Sequence, residues 1–315
     1  MATSSNRIHP AVNARRIACR PPSLLAGLFL IALSLPVVAA SGGQGCPPPA
    51  LVTDAGSQTT SIDEMQRQQL AIALLDCLGH PDPALRDTLA YTTLSTWMRD
   101  GKLTPETLQR LRGDLLAYLQ SPDADGFRAP FAALVLSEVM RVDRIAPFLD
   151  QAQRRETLAA ATAYLRDVRD YRGFVDGEGW RHGVAHGADV LLQLTLNPAL
   201  GEESAKPILD AIASQVGPSS VAYRFGEEGR LARVVVAVAS RGWVNEVGWT
   251  AWFAQLADPA PLASWNDAFN SEAALNRLHN LRAFLLALHV RVAGNDGEAA
   301  TSLMTGLRPA IKMLP

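Results

Sequence analysis

The chain has 315 residues, 48% of them hydrophobic, and its 29 Lys and Arg against 31 Asp and Glu leave a formal charge of -2. With no basic block along the chain, that balance excludes a general nucleic-acid or anionic-membrane binder, whose affinity comes from clustered cations. The length is ample for a substantial core, and no break in composition calls for two domains.

Residues 1–40 carry Arg7, Arg15, Arg16 and Arg20, no acid, and then an apolar run ending in small residues. This is the layout of a secretory signal peptide, with Val38 and Ala40 suited to a cut after Ala40. The run contains Pro36 and is shorter than the roughly 18 to 20 apolar residues a membrane span needs. Removal is therefore expected, leaving no integral membrane segment and a periplasmic or secreted protein. Losing four arginines would leave 25 Lys and Arg against 31 acids, a charge of -6. Of the three cysteines, Cys46 and Cys77 would remain. An oxidising compartment allows them to pair as a disulfide, while the apolar run around Cys77 equally suits a buried small side chain.

Residues 41–60 mix Gly, Pro, Ser and Thr with few large apolar groups and read as a flexible lead-in. From 61 to 315 almost everything reads as helix, in one helical-repeat domain. The first candidate is 62–78, stopped by Gly79 and the Pro81/Pro83 turn, and Asp82-Pro83 starts a second that runs to Trp97. Thr104-Pro105-Glu106 opens a third, with Leu108, Leu111, Leu115 and Leu119 at helical spacing. Then follow 127–142, a helix from about Pro147 to Arg169, and 178–196, 202–216, 227–240, 244–256, 271–290 and 298–311. No alternating pattern of useful length suggests a strand. About eleven helices joined by short loops imply an all-α protein of stacked hairpins, a HEAT/armadillo-like α–α superhelix, with a closed α/α toroid as the alternative.

The unusual residues concentrate in 171–198, YRGFVDGEGWRHGVAHGADVLLQLTLNP. On a helix starting near Glu178, His182, His186, Asp189 and Gln193 share one stripe, with Glu178 a turn upstream of His182. Gly183 and Gly187 form a neighbouring stripe that permits close approach of another helix. Two histidines four apart can bind one divalent metal such as zinc, with Asp189 or an acid from another helix as third ligand. The segment lacks the glutamate of a His-Glu-x-x-His protease motif. The same residues equally suit interhelical packing, with Asp189 orienting a ring, or metal-free acid–base chemistry and ligand binding.

Further candidates are more scattered. His279 shares a polar stripe with Glu272 and Asn276, and His289 sits among leucines. Glu227, Glu228, Arg230, Asn245 and Glu246 are candidate wall residues, although Glu227 and Glu228 also fit a helix start. Trp243, Trp249 and Trp252 suit either a stacking groove or the core, and Trp180 either packs or contacts a ligand. The sequence has no glycine-rich phosphate loop, Cys-x-x-Cys pair, Gly-x-Ser-x-Gly elbow or calcium loop, which argues against nucleotide, redox, zinc-finger and serine-hydrolase classes.

The motifs Tyr171-Arg172-Gly173, Gly179-Trp180-Arg181-His182 and Ala185-His186-Gly187-Ala188-Asp189 resemble a bacterial family known only as domain of unknown function 2785. Phe225-Gly226-Glu227-Glu228, Arg230-Leu231-Ala232 and Asn280-Leu281-Arg282-Ala283-Phe284-Leu285 extend the similarity, which covers much of 70–290. The resemblance implies a helical, HEAT or armadillo-like domain and carries no biochemical role.

Two functions follow as expectations. The first is an exported binding or scaffold module for a peptide, protein or envelope glycan, its ligand touching Trp180, His182, His186, Asp189 and His279. The second is a metal-dependent hydrolase in which His182, His186 and Asp189 hold the ion and Glu178 or Glu227 acts as general base.

Overall fold

The computed structural model describes residues 45–47 and 62–315. The expected signal peptide and most of the lead-in lie outside these residues. The helices are α1 (Glu64–Ala73), α2 (Thr92–Arg99), α3 (Pro105–Gln120), α4 (Arg128–Ile145), α5 (Gln151–Asp167), α6 (Gly183–Thr195), α7 (Ala205–Val216), α8 (Glu227–Ser240), α9 (Glu246–Leu256), α10 (Glu272–Val292) and α11 (Glu298–Met313). Tighter 3-10 turns extend α1 through Leu74–Gly79, precede α7 at Glu202–Ser204 and occupy Trp265–Asn270, while a wider π-helical stretch, Ala84–Tyr91, runs straight into α2.

Local chemistry explains where many of these helices begin. Asp63 with Gln66 and Asp150 with Gln153 form reciprocal capping boxes at α1 and α5. Thr104 caps α3 ahead of Pro105, and Asn245 and Ser271 cap α9 and α10. Each cap satisfies a backbone N–H that the first turn leaves without a partner.

The helices stack in two rows. One row runs α1, α3, α5, α7, each packed on the next; the other runs α2, α4, α6, α8, α10. Helices adjacent in sequence cross between rows, α3 on α4 and α5 on α6, while α11 lies across α8, α9 and α10 at the end. This is the all-α superhelix that stacked hairpins produce. Each helix of a row packs on the next, and among the described residues α1 and α11 share no more than marginal contact, as in an open superhelical stack. No helix among them is long and apolar enough to cross a membrane.

Cys46 and Cys77 form a disulfide that ties residues 45–47 to the turn after α1. Trp249 is fully buried and Trp243 nearly so, and Trp252 packs edge-on against Phe253; the tryptophan cluster belongs to the core.

One departure from the sequence reading changes the site. The helix expected from Glu178 begins only at Gly183, and residues 174–180 fold instead as a short antiparallel hairpin, β1 (Phe174–Val175) with β2 (Gly179–Trp180). Phe174 pairs with Trp180 and Val175 with Gly179. The turn between them needs glycine, because Gly177 and Gly179 have φ of 80° and 81°, where a Cβ is strained.

Candidate functional site

A buried arginine holds this hairpin. Arg86, wholly inaccessible, donates from Nη1 to the His80 and Pro81 carbonyls at 2.9 and 3.2 Å and from Nη2 to the Glu178 carbonyl at 2.8 Å. Its Nε lies 2.8 Å from Asp87 Oδ1, an ion pair whose geometry is not that of a hydrogen bond. The Phe127 ring sits between two guanidinium groups, with Arg86 Cζ 4.0 Å and Arg181 Cζ 3.9 Å from its centroid. Arg181 also reaches Glu178 Oε2 at 2.7 Å and the Asp125 carbonyl at 3.0 Å. Glu178 is thereby a hairpin anchor, outside the cleft described below.

The chain leaves the hairpin through His182. Its backbone is left-handed, φ 59° and ψ 38°, making it the one non-glycine residue with positive φ among those described. That conformation costs a residue with a Cβ about 1 to 2 kcal/mol, and here it turns the chain into α6. The His182 carbonyl accepts the His186 amide at 3.0 Å, so both rings remain one turn apart although only His186 is inside the helix. The glycine stripe behaves as its spacing implied: a Cβ on Gly183 would meet Tyr164 Oη at 3.1 Å, and one on Gly187 would meet Leu165 and Tyr164 at 3.1 and 3.2 Å. With α5 against the glycine stripe, the imidazoles point to the other side of α6, toward α4 and α8.

There they enter a cleft of about 610 Å³ lined by the second row. Asp87 and Tyr91 come from the π-helical stretch and Arg99 from the end of α2, Phe131, Leu134, Ser137, Glu138 and Arg141 from α4, and Phe225, Arg230 and Arg233 from the segment entering α8 and from α8 itself. Trp180, His182, His186, Asp189, Leu192 and Gln193 complete it from the hairpin and α6. Trp180 stacks on His182 with centroids 4.9 Å apart, His182 lies 5.6 Å from His186, and His186 meets the edge of Phe131 at 5.7 Å. Phe225 meets Trp180 at 5.8 Å. The Phe225 ring fits because residue 173 is glycine: a Cβ there would come within 2.0 Å of it.

Both histidines are neutral at ordinary pH. Burial pushes His182 down to about 4, helped by the Arg230 charge and opposed by a hydrogen bond to the Phe225 backbone. Burial and then the neighbouring His182 push His186 down to about 3, against its hydrogen bond to Pro130. His186 Nδ1 donates to the Pro130 carbonyl at 3.1 Å. His182 Nε2 is buried with no hydrogen-bond partner, the nearest acid being Glu227 Oε1 at 3.7 Å. Glu227 is itself buried, which raises its pKa, although hydrogen bonds from its own and the Phe225 backbone pull it back.

The expected ligand triad does not assemble. Asp189 is ion-paired with Arg230 and lies 3.9 Å from Arg233, so its oxygens face guanidinium groups. Burial raises its pKa and Arg230 opposes the rise. Among the described residues no three His, Cys, Asp or Glu side chains are grouped as metal ligands. His279 is exposed on α10, away from the cleft. Sequence reasoning missed Arg86, Arg99, Phe127, Glu138, Arg141 and Arg233. The signal available was weak: Glu138 and Arg141 lie seven and ten residues beyond Phe131, at helical spacing on α4.

A family model described as "Protein of unknown function (DUF2785)" matches residues 115–290, more than half of the chain, and the chain belongs to that family. The match includes the hairpin, α4, α6 and α8, whereas Asp87, Tyr91 and Arg99 precede it. No curated protein and no solved structure matches the chain.

Proposed function

We propose that this member of the DUF2785 family is an exported binding module of HEAT-like architecture whose cleft holds a segment of peptide. The observation that carries the reading is a single cleft of about 610 Å³ with an aromatic and imidazole floor and arginine-bearing walls. Such a mixture of apolar surface and a few directed polar groups is characteristic of ligand sites. Trp180, 37% exposed, and Phe174, 44% exposed, extend the apolar surface outward from the floor. The Cys46–Cys77 disulfide supports export, because disulfides persist in oxidising compartments.

The test is capture of a random-sequence peptide pool by the mature protein, in competition with soluble glycan fragments of the cell envelope. Wild type is expected to enrich a peptide subset that a folded Trp180→Ala variant does not. Equal enrichment by the two proteins, or binding of glycan alone, would remove the peptide reading.

A metal-dependent hydrolase is the second reading, supported by the unpartnered His182 Nε2 beside His186. It requires a third ligand other than Asp189, which Arg230 occupies. Metal content by mass spectrometry, compared with a folded His182→Ala/His186→Ala variant, decides it: stoichiometric metal lost in the variant supports it, and none in either after exposure to zinc eliminates it.

A further inference from the structure

The cleft has a direction. Phe131 meets His186 near the start of α4 and α6, and further along Arg144 Nε donates to Gln193 Oε1 at 3.0 Å, so the two helices run the same way. His182 lies beside Glu227 and Asp189 beside Arg230, so α8 runs with them. Three parallel helices therefore place all their first-turn residues at one end and their later residues at the other.

The two ends differ chemically. At the first are Phe131, Trp180, His182 and His186, which form an apolar and uncharged floor. At the second end are Arg141 and Arg233. Glu138 is held by Arg99 and Asp189 by Arg230, whereas among the described residues Arg141 has no carboxylate within ion-pair distance and Arg233 only the 3.9 Å approach to Asp189. That end thus carries surplus positive charge, with Arg233 44% exposed at its side chain. From His186 to Gln193 is seven residues of helix, about 10 Å at 1.5 Å per residue, and an extended peptide covers that span in about three residues.

We infer that the cleft selects a short extended peptide by polarity, seating an apolar side chain at the histidine end and a carboxylate about three residues later at Arg141 and Arg233. This rests on the peptide-binding reading and adds the chemical class and the direction of the ligand. The arginines recognise the carboxylate through charge-assisted hydrogen bonds, and the aromatic and imidazole floor takes the apolar side chain.

The probes are acetyl-Phe-Ala-Ala with a free carboxylate, the same peptide as its carboxy-terminal amide, and the reversed acetyl-Ala-Ala-Phe acid, each titrated into the mature protein by calorimetry. The free acid is expected to bind at least tenfold more tightly than the amide and at least fivefold more tightly than the reversed peptide. In Arg141→Gln/Arg233→Gln, whose replaced side chains are not core residues, the acid-to-amide ratio should fall below twofold while the circular dichroism spectrum and melting temperature hold. Equal binding of acid and amide by wild type, an unchanged ratio in the variant, or no binding of any probe overturns the inference. Should the probes fail while pool capture still yields Trp180-dependent peptides, the direction is wrong and the peptide reading stands; if both fail, both are wrong.

Discussion

Acidification from pH 7 to pH 5 should destabilise the protein through its two cleft histidines before any carboxylate is protonated in bulk. An unfolded histidine titrates near 6.5, while His182 and His186 titrate in the folded protein at about 4 and about 3. Between those values the unfolded chain binds more protons, so stability is complete above pH 6.5 and falls as pH drops toward the folded values. At 1.36 kcal/mol per unit, the 1.5 units below 6.5 reached at pH 5 amount to up to about 2 kcal/mol per ring and about 4 kcal/mol for the pair. Asp189 and Glu227 act in the opposite sense, since burial raises both and the folded form then takes up protons more readily. A net loss of about 2 to 4 kcal/mol is expected by this linkage. Urea unfolding followed by far-ultraviolet circular dichroism, at half-unit steps from pH 7 to 5, reads it directly. In His182→Asn/His186→Gln, where asparagine tolerates the left-handed backbone, the loss should shrink to under about 1 kcal/mol, because the groups responsible for the linkage are gone. A wild-type stability that stays flat over this range, or a variant that loses as much as wild type, would refute the reasoning.

Arg86→Met should cost about 3 to 5 kcal/mol in urea unfolding, because Asp87 and three backbone carbonyls lose their buried partner; a cost under about 1 kcal/mol would mean the site is not sealed. Gly173→Ala drives a Cβ to within 2.0 Å of the Phe225 ring, so about 1 to 3 kcal/mol of stability is expected to be lost through overpacking. Displacement of Phe225 should also alter Trp180 fluorescence, and an unchanged spectrum and melting temperature would contradict the contact. Cys77→Ser opens a loop of sequence separation 31, which at that length corresponds to about 3 to 4 kcal/mol of chain-entropy stabilisation. Equal urea midpoints for this variant and the oxidised wild type would show that the bridge contributes nothing.

Much of the fold was legible because its signals are local. Thr104 before Pro105 marks a helix start within a few residues of chain, and leucines at helical spacing mark the faces that must be buried. The same holds for Gly183 and Gly187, whose missing side chains announced the close approach that α5 makes. The periodicity that reveals helices also misled at Glu178. His182 and His186 keep helical spacing across the junction, since a left-handed residue still offers its carbonyl to the amide four residues on.

What the sequence by itself determined, then, was an all-α chain with its unusual chemistry collected around 171–198. The partners of that chemistry were decided only in three dimensions. Asp189 faces Arg230 from 41 residues away, and the Glu178 carbonyl takes a hydrogen bond from Arg86 across 92. Helix caps and apolar periodicities are written within a turn or two because backbone hydrogen bonds span four residues. An ion pair between helices depends on how two rows stack and on which rotamer a long side chain adopts, and neither leaves a mark in the spacing of residues along the chain.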